Sequence, residues 1–515
     1  MRTRIILLLL CFCLPVFSAA CFGTPDPTEA PSVQESMPPT PEPTPEPTPV
    51  MIGGSVMENG TLRAVVKADD FALIEQIEGL ETLDVSGSDC YDAILAYQSA
   101  HPSVNVLYTV QIGDVSVSSE TQELTVSHVP DSSLLVYLPA LRTLTVTEPI
   151  APKEAADVLK TRPDVDFDYS VSAAGMTVPG DAAALDLSEV SPALSGEIAE
   201  AVAVLPNLTD VNLNREDGSS DWTLQDAIPL MDASQTLRVD LNVTAFGRTF
   251  SLTDDVVDFN NIPMDDKEDA LLALLPYLRN VGRLDMENCR LSDERMAELR
   301  AQYPSPKIVW RVNVGAYSCR TDSKIIRFSM FYMYPQLYDR HTKGLTYCNE
   351  VRYLDLGHNM IQDAYFVGYM PDLEVCILAI QQPTDISAFR NCKHLEYAEL
   401  FNGSITDVSA LAECTELRHL NLCMNQITDI TPLYGLTNLE RLWISRNPIP
   451  EEQIERFKEL VPDCVVNTTA EDPTINEWRY DYSQPNGLAV RYALLQKQFA
   501  YSLGLTSSVD LPDLS

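Results

Sequence analysis

Residues 417–449, LRHLNLCMNQITDITPLYGLTNLERLWISRNPI, write one apolar ladder twice. Leu417, Leu420, Leu422, Asn425 and Ile427 are answered 22 residues on by Leu439, Leu442, Ile444, Asn447 and Ile449. Successive residues of a strand face opposite sides, so the leucines spaced two apart point one way and bury together. A rung this small cannot bury its own apolar face and is stable only when a neighbour stacks on it. The repetition is therefore the fold.

Setting the register on the first apolar position gives anchors at Val351, Leu373, Leu395, Leu417 and Leu439, each 22 residues after the last. The first copy, VRYLDLGHNMI, keeps Leu354, Leu356, Asn359 and Ile361. The second has Gln381 at the Asn position and Pro383 at the Ile position; the third has Gly403 at the Asn position. An Asn side chain both donates and accepts, so it satisfies backbone groups in the turn behind the strand. Short helical starts follow: DISAF, DVSAL and DITPL, with Ser387, Ser409 and Thr431 as N-cap candidates and Pro432 at the first helical position. The pattern L-x-x-L-x-L-x-x-N-x-I is that of the leucine-rich repeat. Residues 351–464 resemble the 22-residue repeats of internalin-type bacterial leucine-rich repeat proteins. The resemblance implies a curved solenoid that binds protein partners and carries no catalysis on its repeats.

The strand signature returns upstream at a longer period. LETLDV at Leu80, LRTLTV at Leu141, LTDVNL at Leu208 and VGRLDM at Val281 precede Val351 at intervals of 61, 67, 73 and 70 residues. VGRLDMENCRL fits the variant with Cys289 in place of Asn. Between these strands lie helix-like runs such as DERMAELRAQYP and strand-like runs such as KIVWRVNV. The expected fold is an α/β repeat solenoid: a leucine-rich repeat horseshoe with a parallel sheet over 351–464, preceded over 53–350 by about four degenerate longer β/α modules. A separate α/β domain over 53–350 is the alternative. The tail from 465 to 515 breaks the repeat. Its Leu488, Tyr492, Leu495 and Phe499 lie near helical spacing, as a cap over the open end requires. Its Trp478–Arg479 followed by an aromatic-rich helix resembles C-terminal segments of other bacterial repeat proteins.

The N-terminus, MRTRIILLLLCFCLPVFSAAC, has two arginines, an apolar run too short to span a bilayer, and small residues before Cys21. That anatomy is a secretory signal over residues 1–20. Its end resembles the lipobox of bacterial lipoproteins, with Ser18 where a branched aliphatic residue is usual, and implies lipidation of Cys21; ordinary secretion is the alternative. Residues 21–52 are proline-rich, and proline supplies no N–H for sheet or helix interior. They form a stalk, of which the Pro-rich tract 24–50 alone reaches roughly 80 Å at about 3.1 Å per residue. The 74 acidic residues against 35 basic ones leave a net charge of −39. A nucleic-acid partner needs Lys and Arg to displace counterions, so that class is disfavoured.

Chemistry finds little support. The cysteines at 376, 392 and 414 sit in apolar slots of the repeat, and no C-x-x-C offers a zinc site. The six histidines, at 101, 128, 341, 358, 394 and 419, form no H-E-x-x-H, and no G-x-S-x-G or phosphate loop occurs. His419 and Cys423 share a strand face but have no orienting third partner. Asp363, Asp385, Asp407 and Asp429 recur every 22 residues. They are a turn-capping Asp repeated with its turn, since each turn offers one carboxylate and calcium wants several oxygens. The expected function is a non-catalytic, extracytoplasmic binding protein, monomeric and without cofactor, held to the bacterial membrane only through its N-terminal lipid. Its partner is a protein or a glycan. The alternatives are a structural envelope protein without a discrete ligand, or an exported hydrolase with its site in 53–350. Residues between the inward leucines point outward onto the concave face, where Tyr353, Tyr397, Phe401, His419, Arg441 and Trp443 are the candidate partner contacts; the alternative is that flanking loops or the C-terminal lid cover Trp443.

Overall fold

The computed structural model describes residues 51–329, 336–381, 383–475, 477–483, 487 and 489–501. The signal segment, most of the stalk and Cys21 lie outside them, as do Leu488 and the side chain of Phe499. The chain divides into two compact units between Val106 and Leu107. In the first, Thr61–Arg63 pairs in parallel with Thr82–Asp84, which in turn neighbours Asn105–Leu107. Leu62 and Leu83 at the strand centres bury against Ile74 and Ile94 of the intervening helices.

In the second unit a module recurs. Its three short parallel strands are Glu123–Val126, Thr143–Val146 and Asp166–Asp168 in one copy. The next copies are Ala184–Asp186, Asp210–Asn212 and Arg238–Asp240, then Val256–Asp258, Arg283–Asp285 and Lys307–Val309. Each set of three is followed by an antiparallel hairpin: Ser170–Ala173 with Met176–Pro179, Asn242–Ala245 with Arg248–Ser251, and Arg311–Val314 with Tyr317–Arg320; a fourth hairpin of the same kind, Thr109–Ile112 with Val115–Ser118, precedes the first set. The hairpins turn in two residues, and Ala174–Gly175 and Phe246–Gly247 both take positive φ. That geometry matches the twist of paired strands. The parallel sheet is therefore interrupted at every module, because a hairpin stands between one set of strands and the next.

From Ile325 onward the interruption ends. Seven strands, at 325–327, 353–355, 375–377, 397–399, 419–421, 441–443 and 465–467, pair in parallel and in sequence order. The central residues Leu354, Cys376, Ala398, Leu420 and Leu442 are fully buried. The leucine-rich repeat fold thus extends one strand beyond the sequence pattern at each end.

The asparagine ladder works as its chemistry requires. Asn425 Nδ2 donates to Leu422 O in its own rung and to Leu400 O in the rung before, while its Oδ1 accepts from Ile405 N. Asn447 repeats the arrangement one rung on, and Gln381 substitutes for it by donating to Leu356 O and accepting from Ile361 N. Gly403 has a steric reason to be glycine: a Cβ there would stand 2.8 Å from Asn425 Oδ1 and 3.0 Å from Pro383. One residue before each ladder position the backbone is left-handed, at His358, Ile380, Asn402, Met424 and Arg446. Five such turns in register, one at a β-branched residue, persist because the stacked rungs over-determine them.

The short 3-10 turns behind the strands are capped by the recurring aspartates, as expected of them, and not by the hydroxyl residues that the sequence offers as N-cap candidates. Asp385, Asp407 and Asp429 accept from the N–H of Ser387, Ser409 and Thr431, each at 2.8 Å, and Asp363 accepts from Tyr365 N at 2.9 Å. The acidic ladder is the cap. Ser387, Ser409 and Thr431 begin the turn rather than cap it.

Candidate binding face of the regular repeats

The outward residues of the seven strands form one face; Arg327 and Val465 on its two end strands are exposed, and little of its middle meets solvent. Tyr353, Tyr397, Phe401, His419 and Trp443 are each no more than 2% exposed, and Arg441 is half-buried. The six candidate contacts lie together on that face. What covers them is the chain's own C-terminal segment. Ala470, Trp478 and Leu495 pack into one cluster with Tyr353, Val375, Ile377, Ala379, Tyr397, Phe401, Cys423 and Trp443, with Tyr492 against its edge. The segment therefore lies across the strand face, where a cap over the open end had been expected. Its apolar residues find more surface to bury on that face.

Trp478 is the apolar centre of the contact. Its ring lies 5.3 Å from Tyr397, 5.4 Å from Trp443 and 6.4 Å from His419, centroid to centroid. Offset and tilted rings at these separations add about 0.5–1.5 kcal/mol per pair beyond burial. Its neighbour Arg479 carries the polar centre. Glu399 is fully buried, and its Oε1 accepts from Arg479 Nε at 2.8 Å and Trp478 Nε1 at 3.0 Å. Arg479 also donates to Glu399 Oε2, and the Tyr397 hydroxyl donates to Oε1. The guanidinium lies over the rings of Phe401 and Tyr492, at 5.9 and 5.8 Å. Desolvation works against its charge, but Glu399 outweighs it and holds Arg479 above its ordinary value. Burial pushes the Tyr397 hydroxyl and the Asp355 carboxyl up.

The rest of the segment is read through its main chain. Asn421 Nδ2 donates to Pro473 O at 2.8 Å, Ser445 Oγ donates to Ala470 O at 2.9 Å, and Arg441 donates to Glu477 O. At the far end, Arg491 Nε donates to His419 Nε2 at 3.0 Å and Arg491 also reaches Glu396 Oε2 at 3.0 Å. The ring nitrogen that accepts from a guanidinium carries no proton. Burial, with Arg491, Arg441 and Arg418 nearby, pushes His419 down to about 3. Its 3.5 Å approach to Glu440 is accordingly a contact of a neutral ring and not an ion pair.

Among the described residues, Glu399, Asn421, Trp478, Arg479 and Arg491 complete this arrangement, and none was singled out as a site residue from sequence. Glu399 and Asn421 occupy outward strand positions, so the strand period already placed them on this face. A carboxylate and an amide there carry no aromatic signal. The partners that make them informative lie 80 residues downstream for Glu399 and 52 for Asn421. The remaining histidines do not converge: His128 and His394 are exposed, and His341 packs edge-on to Tyr338 at 5.7 Å. No group of three metal-ligating side chains occurs among the described residues, and none of their helices is long and apolar enough to cross a membrane.

A family model for paired leucine-rich repeats matches residues 415–459, the stretch where the ladder is most regular. A comparison of the sequence with curated proteins finds no match. Among solved structures, the chain is similar to an internalin, InlF, of Listeria monocytogenes, at 18% identity and a TM-score of 0.27, covering 70% of this chain and 86% of that one. A leucine-rich repeat protein of Leptospira interrogans gives 16% identity and a TM-score of 0.26, covering 77% of this chain and 91% of that one. Internalin C2 of Listeria monocytogenes gives 21% identity and a TM-score of 0.22, covering 26% of this chain and 70% of that one. Scores this low do not bear on partner or function. The strands, the asparagine ladder and the matched repeats define a leucine-rich repeat fold.

Proposed function

We propose that this is a non-catalytic, extracytoplasmic binding protein that holds a protein partner on the strand face of its regular repeats. The observation that carries the reading is that this face already holds a polypeptide. Ala470, Pro473, Glu477, Trp478, Arg479 and Leu495 lie on it through an aromatic cluster, a buried charge pair and three hydrogen bonds to main-chain oxygens. A surface equipped for side chains and main chain alike fits a peptide segment better than a glycan.

Tyr353, Tyr397, Phe401, His419, Arg441 and Trp443 are the proposed contacts, exposed to a partner when the C-terminal segment gives way. The apolar run and small residues before Cys21 support export and a lipid anchor, the proline-rich stalk supports display at the cell surface as a monomer, and no cofactor is required. Two experiments test this. Mass spectrometry of the membrane fraction should find Cys21 as a lipidated N-terminus; unmodified Cys21 in the culture supernatant would leave a secreted protein. With a captured partner, Trp443→Ala and Tyr397→Ala should each weaken binding by roughly 1–3 kcal/mol. Unchanged affinity in both moves the site off this face.

A further inference from the structure

We propose that the partner recognised by this face carries an aromatic residue followed by an arginine, and that Trp478–Arg479 occupies its site in cis. The inference rests on the binding reading and names the chemistry of the partner. Glu399 sits at the middle of the face with no exposure to solvent, walled by Phe401, Tyr397 and Trp478. A buried carboxylate stripped of its cation is strongly destabilising, so whatever displaces the segment must bring a positive charge to the same place. The two oxygens take Nε and a terminal nitrogen of one guanidinium side by side, a geometry an ammonium cannot reproduce. Beside it, Tyr397, His419 and Trp443 form a three-sided slot for an aromatic ring that also donates to Glu399. Asn421, Ser445 and Arg441 read main-chain oxygens and fit any sequence that follows the same path. The net charge of −39 draws cationic segments toward the molecule.

The probe is a synthetic peptide of residues 468–501, offered to the full chain. Arg479→Ala, which frees Glu399 of its cation, should bind the peptide at least tenfold more tightly than the unaltered chain, whose own segment competes. The same peptide with alanine at the Trp478 or the Arg479 position should lose at least tenfold. In the unaltered chain, excess peptide should speed amide hydrogen exchange in residues 470–495, a measurement that needs no variant to fold. No acceleration, together with no binding to Arg479→Ala, means the face is a closed interior and overturns the proposal. A cellular partner that binds undiminished in the presence of excess peptide also overturns it while leaving the binding reading intact. Peptide binding without any cellular partner supports the recognition chemistry and counts against the partner reading alone.

Independently, we infer that Cys319 and Cys348 form a disulfide. Their Sγ atoms are 3.8 Å apart, and both residues are buried. The third residue of each hairpin's second strand faces the core: Val117, Val178, Phe250 and then Cys319. Three residues before each strand anchor stands Leu138, Leu205, Leu278 and then Cys348, also buried. Apolar pairs fill both places in three modules, and in the fourth both members change to cysteine together. Cys392 and Cys414, at the same place in the regular rungs, direct Sγ to the carbonyls of Val367 and Phe389, whereas Cys348 Sγ has Cys319 Sγ as near as its carbonyl neighbour Gly344 O, both at 3.8 Å. Oxidation takes two electrons and two protons from the two thiols and delivers them to a small-molecule disulfide, which becomes two thiols. Refolding the full chain with oxidised and reduced glutathione should yield a linked 319–348 peptide lacking two hydrogens, and Cys319→Ser should abolish it. If both thiols are alkylated after oxidative refolding and denaturation, the inference fails, whether or not the protein is exported.

Discussion

The modules of residues 123–320 and the regular repeats of residues 325–467 share a core and differ on the face beside it. At the strand centres the two agree: Leu144 and Leu284 are as fully buried as Leu354 and Leu420. The neighbouring outward positions diverge. In the modules they carry Asp168, Asp186, Asp210, Asp240 and Asp258, all exposed, with Asp285 the buried exception, paired with Arg283 and Arg320. In the repeats they carry Tyr397, Glu399, His419, Asn421 and Trp443, all buried. The inward period of two dictates the rung and leaves the outward letters free. Where a segment of chain lies over them they become an interior, and a carboxylate that would be commonplace on the modules becomes a buried charge needing a dedicated partner.

Removing Arg479 tests that difference most severely. Arg479→Ala should destabilise docking of the C-terminal segment by about 3–5 kcal/mol, since it leaves Glu399 buried and unpaired. Replacing both members by apolar residues of similar volume should cost far less. On the modules, Arg215→Ala, which removes an exposed pair with Asp221, should leave the melting temperature unchanged. Equal effects in the two regions would dissolve the comparison.

The shared core predicts the opposite pattern. Leu420→Ala and Leu442→Ala should each cost about 2–5 kcal/mol, and Leu144→Ala in a module should fall in the same range. Denaturant melts of the three variants check it. A near-neutral result at Leu144 alone would mean the module strands are held by their hairpins.

How much of this was legible follows from distance along the chain. The rung was readable because its information is local: an alternation of two, an Asn at fixed offset, an Asp two residues before each turn. Cys289, which donates to Phe259 O at 3.3 Å, was readable as an Asn substitute for the same reason. The hairpins were obscured because KIVWRVNV joins the end of a parallel strand to the start of a hairpin, and only the two-residue turns at Gly113, Gly175, Gly247 and Gly315 separate the roles. The covered face was half legible. The strand period placed Tyr397 and Trp443 together on one face, and the tail showed its helical pattern. That the tail lies across this face depends on Glu399 meeting Arg479, a pairing no local pattern encodes.

Acid should separate the regions further. His419 titrates near 6.5 when released and near 3 when covered. Between those values the released state binds the extra proton, so docking is fully stabilised above about pH 6.5 and weakens as pH falls, by up to about 1.4 kcal/mol per unit. Asp355, pushed up by burial, acts in the opposite sense above the ordinary carboxylate value. The His419 contribution is therefore the difference between the unaltered chain and His419→Gln, followed by limited proteolysis at Tyr480–Tyr482 from pH 7 to pH 5. Cleavage that rises on acidification equally in both chains would show that His419 does not carry the pH response.

The smallest effect concerns the turns behind the strands, far from the covered face. Asp385 accepts the Ser387 N–H, and that hydrogen bond holds its carboxyl below the ordinary value. Its stabilisation is therefore present above the unfolded value and lost as pH falls through the folded one. Asp385→Ala should cost about 0.5–1 kcal/mol, the low part of the capping range, because the side chain is exposed and water replaces part of the bond. Asp385→Asn keeps the acceptor and should lose less. Calcium or a chelator should leave the melting temperature of both variants and of the parent unchanged, since each carboxylate is occupied by its own turn. A calcium-dependent rise in the parent that Asp385→Ala abolishes would convert these caps into an ion-binding ladder, and the back of the repeats, like the front, would then have a ligand.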